Sequence, residues 1–244
     1  MIDAIADIGM SSINEGKIPK ILKIGWISPI WKGNERDIPS DYRPISLTSH
    51  IGKLIERIVR HQLTIYLEVN NLIDNEQHGS RTGRSTLSQL LTQHDDILTQ
   101  LIEGNNVDLL FLDFSKAFDV VDHSILLKKM KYKGIHGKLL YWISEFLTNR
   151  EQLVRVGSSL SEPVKIISGV PQGSVLGPLL FLIFVSDLGE NLDLAIAKIL
   201  KYVDDSKILG KIATEEDVFK LQDEVNSIYS WATLNNMSWN HLKL

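Results

Sequence analysis

The segment Tyr202-Val203-Asp204-Asp205 constrains this chain of 244 residues more than any other stretch, because apolar, β-favouring residues flank it from Ala195 to Leu200 and at Ile208-Leu209. Asp favours turns, since its short side chain hydrogen-bonds nearby backbone. The pattern predicts a hairpin that presents two adjacent carboxylates at its tip. Charges gathered there are costly unless a cation binds them, and hard divalent cations take oxygen ligands. An isolated Asp-Asp pair is most often a solvated turn. This pair has company elsewhere in the chain.

The run Leu109-Leu110-Phe111-Leu112 is continuously apolar, as expected of a buried strand, and it ends at Asp113. Asp113 therefore emerges at a strand terminus. Strand-end and hairpin-tip carboxylates, once the fold brings them together, form a cradle for two metal ions. Such ions lie ~3.5–4 Å apart and clamp the attacking and leaving oxygens of a phosphoryl transfer. Between the two blocks lies Ser168-Gly169-Val170-Pro171-Gln172-Gly173-Ser174-Val175-Leu176-Gly177-Pro178, leading into an apolar stretch. Its glycines permit close approach of backbone to a ligand, Ser174 reads as an N-cap, and Pro178 falls in the first helical turn. A loop of this kind with one amide side chain, Gln172, suits a flat nucleotide base.

The order of these blocks resembles reverse transcriptases, and more narrowly those of non-LTR retrotransposons (LINE-type, jockey-like elements). The resemblance rests on Asp113-Phe114-Ser115-Lys116-Ala117-Phe118-Asp119 with His123 following, and on Gly169-Val170-Pro171-Gln172-Gly173-Ser174-Val175-Leu176-Gly177-Pro178. Asp41-Tyr42-Arg43-Pro44-Ile45-Ser46-Leu47 and Gly83-Arg84-Ser85-Thr86 extend it, so that it runs from about Gly16 to the C-terminus. Two positions depart from the family pattern. Val203 stands where Ala is usual, a change that bears on fidelity near the primer end and not on the chemistry itself. Ser80 stands where the family usually has an aromatic before Arg81, so that a stacking contact in the fingers would be lost.

What the resemblance implies can be stated residue by residue. Asp113 and Asp204 would ligate metal, with the main-chain oxygen of Phe114 as a further ligand. Asp205 would ligate too, or orient the hairpin, or touch the primer end. The cofactor would be Mg²⁺, two ions, with Mn²⁺ as a substitute. Phe118 would lie beneath the nucleotide sugar, its alternative being a core residue. Gln172 and Gly173 would meet the incoming nucleotide, and Arg43 its triphosphate, for which a guanidinium is suited. A structural use of Arg43 is the alternative. Asp119 and His123 are assigned to structure, Asp122 to a helix cap, and Lys243 to protonation of the pyrophosphate leaving group.

The implied fold is α+β, a right-hand polymerase with an antiparallel palm sheet backed by helices. Residues 1–106 would form fingers with an N-terminal extension. Residues 107–244 would form the palm, including a hairpin at 150–168, cut off before a thumb. The implied reaction is RNA-directed DNA synthesis: addition of deoxynucleotides to a primer 3′-OH during retrotransposition. Its partners would be an RNA template, a DNA primer, dNTP, the element RNA in a ribonucleoprotein, and further domains of a longer polyprotein. The expected setting is intracellular, in the nucleus or in a cytoplasmic ribonucleoprotein. The rival readings are a truncated, non-catalytic remnant that at most binds RNA, and an RNA-dependent RNA polymerase. Phe118 argues against the second, since RNA polymerases usually meet the ribose 2′-OH with a polar residue.

Bulk properties bound these readings without choosing among them. With 43% hydrophobic and 23% charged residues the chain is of ordinary globular composition. The absence of Cys excludes disulfides and thiolate zinc sites. No apolar run reaches the ~18 residues of a membrane span, and the start has no basic flank of a signal peptide. A net charge of −4 is unusual for a nucleic-acid binder. Charge is local, however: Lys17, Lys20, Lys23, Lys32, Arg36, Arg43, Lys53, Arg57 and Arg60 lie early, and Glu215-Glu216-Asp217 and Asp223-Glu224 late.

Periodicity predicts helices over Ser49–Leu67, from a Ser85 cap to Gly104, over 124–131, over 138–147 and over 175–188, and one from a Thr214 cap. It also predicts a hairpin with strands 152–156 and 163–167 joined by Gly157-Ser158-Ser159.

Overall fold

The computed structural model describes residues 2–33 and 35–240. Along the chain run α1 (Ile2–Glu15), β1 (Ile24–Trp31), β2 (Tyr42–Leu47), α2 (His50–Val69), α3 (Thr86–Ile102) and β3 (Asn106–Leu112). Then come α4 (His123–Tyr132), α5 (Gly137–Leu147), β4 (Arg150–Val156), β5 (Ser159–Leu160), β6 (Val164–Ile166) and α6 (Gly177–Phe184). Finally β7 (Ala197–Tyr202), β8 (Asp205–Ile212) and α7 (Glu215–Leu234) complete the fold. The chain divides into two compact units, 1–69 with 118–180 and 70–117 with 181–244.

The first unit holds a five-stranded sheet in the order β2-β1-β4-β5, with β6 also on β4. β1 pairs antiparallel with β2 and parallel with β4. Sequence patterning misses β1 and β2, for a physical reason. Pro29 and Pro44 stand opposite each other, and the β1–β4 pairing ends at Ile27↔Val154, before Pro29. A proline inside a short run argues against a strand unless its missing donor falls where no ladder bond is needed. The 150–168 hairpin also differs in detail. Its tip is Gly157-Ser158, since Val156 pairs with Ser159, and the return strand is broken at 161–163. There Ser161 takes over the ladder: its N–H donates to Val154 O and its hydroxyl accepts from Val154 N–H, both at 2.9 Å.

In this unit α2, α4 and α5 form where predicted, although on α2 the apolar Ile51, Leu54, Ile58, Ile65 and Tyr66 stay exposed. α2 buries Ile55, Val59, Leu63 and Leu67 on one face, and α5 buries Trp142, Ile143, Phe146 and Leu147. Asp122 caps α4, its carboxylate accepting from Ser124 N–H at 2.8 Å and Ile125 N–H at 3.0 Å. Lys23, counted above with the basic residues, is only 5% exposed and pairs with Glu145 at 2.7 Å. It therefore adds nothing to an exposed positive surface.

The second unit is built on the antiparallel sheet β3-β8-β7. The predicted hairpin is present as β7–β8, with Tyr202 paired to Asp205 across a two-residue turn. α7 covers one face of this sheet. Gly210 admits it, because a Cβ there would lie 2.4 Å from a Leu221 methyl. The helix starts as its sequence predicts: the Asp217 carboxylate accepts from Thr214 N–H at 2.8 Å and from the Thr214 hydroxyl at 3.0 Å. Ser85 caps α3 with its own side chain, accepting from Ser88 N–H at 3.2 Å. The helix expected over 175–188 is shorter, Gly177–Phe184, and gives way to turns at Val185. Among the described residues no helix is long and apolar enough to cross a membrane.

Candidate active site

In the second unit the antiparallel register brings the carboxylates to one end of the sheet. The last β3–β8 pair is Leu112↔Ser206, so Asp113 follows level with Asp205, and Asp204 sits beside it in the turn. Asp113 and Asp205 line one cleft of about 370 Å³, together with Tyr202, Lys207 and, from α3, Thr86 and Gln89. Asp113 is half-buried, Asp204 likewise, and Asp205 exposed.

Asp113 is held from the C-terminal side. Asn240 donates its side-chain amide to Asp113 Oδ2 at 2.9 Å and its backbone N–H to Asp113 O at 2.8 Å. Ser115 N–H donates to Ser238 O at 2.8 Å, which completes a bridge between Phe114 and Trp239. Their rings stack with centroids 4.1 Å apart. Because successive peptide groups alternate in an extended strand, the Phe114 carbonyl is turned away from residues 238–240. Asn240 is a residue that local sequence patterns do not single out. Its partner lies 127 residues away, and no local pattern announces such a bond. Lys243 lies outside the described residues.

These donors fit a divalent cation of the hard class. Two carboxylates open onto one cleft, and a main-chain oxygen follows the first of them. Among the described residues no group of three or more His, Asp or Glu could enclose a metal ion. Mg²⁺ is usually held by one or two carboxylates plus substrate phosphates rather than by an all-protein cage, so the carboxylate pair Asp113 and Asp205 is of a size such a site uses.

In the first unit the glycine-rich loop docks on β2. Ser46 N–H donates to Gln172 O at 2.9 Å, and a Cβ on Gly173 would come within 2.6 Å of Ser46 O. Gly173 also has φ +98°, so both space and backbone conformation demand glycine there. The Gln172 side chain donates to Asp119 Oδ1 at 2.7 Å. Asp119, assigned to structure, thus orients the one amide of the loop. His123 contributes to the same scaffold, its Nε2 lying 2.7 Å from Gly169 O. Phe118 is half-buried, and its carbonyl accepts from Val170 N–H at 2.8 Å. Arg43 is exposed on β2, three residues before Ser46.

Glu56 is a residue that sequence reading missed. It is 4% exposed, and its Oε2 accepts from Val175 N–H at 2.7 Å and Leu176 N–H at 3.0 Å. Burial raises its pKa, the two backbone bonds and Arg150 oppose that, and burial lowers the pKa of Arg150. Ser174 caps α6 as expected, accepting from Gly177 N–H at 3.0 Å.

A pH dependence arises at His78, in the second unit. It is 5% exposed, with Nδ1 at 2.9 Å from the Ser88 hydroxyl. Burial lowers its pKa, and Arg84, Arg81 and Lys198 add to the effect. The unfolded chain then binds a proton that the folded chain refuses, so stability falls as pH drops below about 6.5 and levels off under the folded pKa. Melting temperatures across this range are expected to fall more steeply for the wild type than for His78→Gln. Parallel profiles would show that another group dominates.

Comparison with solved structures bears on the fold. The chain superposes on telomerase from Candida tropicalis in complex with a telomeric RNA fragment with a TM-score of 0.65, at 14% identity, covering 99% of this chain and 44% of that one. Telomerase from Candida albicans gives 0.63 at 15% identity, over 97% and 44%. At such identities the likeness is one of fold, the reverse transcriptase fold. Residues 30–244 match the family described as Reverse transcriptase (RNA-dependent DNA polymerase), and the chain belongs to it. Among its relatives are the probable RNA-directed DNA polymerase from transposon BS of Drosophila melanogaster, 34% identical over 87% of this chain, and the RNA-directed DNA polymerase from mobile element jockey of Drosophila funebris, 32% identical over 94%. The resemblance to non-LTR retrotransposon enzymes is borne out. This chain spans 24% and 26% of the length of those two relatives.

Proposed function

We propose that this chain is the catalytic portion of an RNA-directed DNA polymerase that extends a primer 3′-OH with deoxynucleotides. The observation that supports this most is the opening of Asp113 and Asp205 onto one cleft, with Asp204 at the adjoining turn. Asp113, Asp204 and Asp205, with the Phe114 carbonyl, are the groups that would hold Mg²⁺ or Mn²⁺. Bound there, two ions would lower the pKa of the primer hydroxyl and offset charge on the leaving pyrophosphate. Asn240 keeps Asp113 in one orientation, so the carboxylate does not have to be reorganised when substrate arrives. We assign Gln172 and Gly173 to the incoming nucleotide, with Asp119 fixing the amide, and Arg43 to its phosphates. Fingers at 1–106 and palm at 107–244 remain the proposed functional division. The partners proposed are an RNA template, a DNA primer, dNTP and the element RNA in a ribonucleoprotein, within a longer polyprotein acting inside the cell.

The test is primer extension on an RNA template with Mg²⁺ and each nucleotide type. Extension with dNTP alone supports the proposal. RNA binding with no extension places the chain with the non-catalytic remnants, and a preference for rNTP places it with RNA polymerases.

Phe118 supplies a sharper prediction about the sugar. An apolar pocket rejects an added hydroxyl by only ~10²-fold in comparable cases. A rigid ring that leaves no room does better, because overpacking costs about 1–3 kcal/mol and the hydroxyl also loses its water. Phe118→Val is therefore expected to raise ribonucleotide relative to deoxynucleotide incorporation about tenfold or more. Single-nucleotide incorporation efficiencies measure this, and an unchanged ratio returns Phe118 to the core.

A further inference from the structure

Val203 has φ +59°, in the left-handed region that a β-branched residue rarely enters. It is the first central residue of the β7–β8 turn, where tight hairpins with this backbone usually carry glycine. Something must hold a valine there. The neighbouring segment 74–79 supplies it. Gln77 is 2% exposed, and its Oε1 accepts from Val203 N–H at 2.8 Å and from Gly79 N–H at 2.8 Å. Its Nε2 lies on the other side of the same residue, donating to Val203 O at 3.4 Å. One side-chain amide thus grips both backbone groups of the strained residue.

The grip is anchored on both sides. Gln77 forms a parallel bridge with Lys201, His78 N–H donates to Lys201 O, and Lys201 N–H donates to Glu76 O, each at 2.9 Å. Gly79 packs directly against the turn: a Cβ there would lie 2.5 Å from both Val203 N and Val203 Cγ2. The 74–79 segment therefore runs along one flank of β7, while β8 occupies the other.

We propose that Gln77 is a positioning residue that clamps the Val203 backbone and thereby sets where Asp204 and Asp205 sit relative to Asp113. The inference rests on the polymerase reading for its catalytic consequence, but the clamp itself is a property of the hairpin. It also explains how a valine serves at a position built for a smaller residue: Gln77 compensates the conformation that the side chain disfavours.

The test combines Gln77→Ala, Val203→Gly and the double variant in the full chain, with hydrogen exchange over residues 200–207 and primer extension as readouts. Gln77→Ala removes two hydrogen bonds to Val203, so exchange at the turn is expected to quicken about tenfold or more, with α7 protection unchanged. A shift of the carboxylates of ångström size would lower kcat by about 10–100-fold, with KM for dNTP and primer–template affinity unmoved. In the Val203→Gly background the same substitution should cost much less, because glycine adopts the turn without strain. A merely structural loss of packing would not be rescued in this way. Should Gln77→Ala fail to fold, Gln77→Asn, which keeps the amide but withdraws it by a methylene, carries the same test. Unchanged exchange at the turn overturns the clamp whether or not the chain extends primers. Faster exchange in Gln77→Ala, together with a wild-type chain that never extends primers, would overturn the polymerase reading and leave the clamp standing.

Discussion

Replacing Asp113 or Asp204 with Asn is expected to abolish primer extension while leaving the fold in place. The amide keeps the shape of the carboxylate and removes the charge that would hold a divalent cation. A loss of at least about 10³-fold is expected, or ~4 kcal/mol of transition-state stabilisation at ~1.4 kcal/mol per decade. The double variant should lose little more than either single one, since residues acting as a unit are not additive. At Asp113 the fold control is direct. Asn240 donates to Oδ2, and an Asn side chain at position 113 still offers an oxygen to that donor. Melting temperature should therefore change little. Near-normal extension by either single variant would remove the carboxylates from the chemistry.

Asp74→Ala should be the most damaging change away from those carboxylates, and its effect is on stability. Lys201 is 1% exposed, its ammonium paired with Asp74 and donating to Leu188 O at 2.7 Å. Deleting one partner of a buried pair typically costs about 3–5 kcal/mol, because a buried charge is left uncompensated. Burial already lowers the pKa of Lys201, against the pull of Asp74. Without Asp74 the ammonium sheds its proton more readily at high pH, so the destabilisation should grow as pH falls from about 10.5 toward neutrality. Chemical denaturation at two pH values measures both effects. Replacing the pair together, Asp74→Leu with Lys201→Met, should recover much of the loss, since well-packed apolar residues often match a buried ion pair. A loss below about 1 kcal/mol for Asp74→Ala would mean that water reaches Lys201 and that the pair acts as an exposed one.

The legible parts of this chain are those whose signals are local. Asp122 and Thr214 mark helix starts because cap bonds span only two or three residues: Asp122 accepts from Ser124 and Ile125 N–H, and Thr214 N–H donates to the Asp217 carboxylate. The β7–β8 hairpin was legible because apolar runs and a turn signal lie side by side, and the end of β3 because its apolar run stops at Asp113. The illegible parts are of two kinds. β1 and β2 carry Pro29 and Pro44, residues that argue against strands until the pairing shows them opposite each other, where no ladder bond is required of them. The second kind is polar and distant. Asn240 on Asp113, Gln77 on Val203 and Glu56 on Val175 join residues 127, 126 and 119 positions apart.

The amino-acid sequence by itself determined which chemistry-bearing residues the chain has and which local element carries each. Capping, apolar periodicity and turn preference act over a few residues and need no partner from elsewhere. Only the tertiary structure decided how those residues are held. A buried amide or carboxylate must find its hydrogen-bond partner somewhere, and nothing in the neighbouring sequence says where. The strained Val203 turn depends on Gln77 in this way, and Asp113 on Asn240.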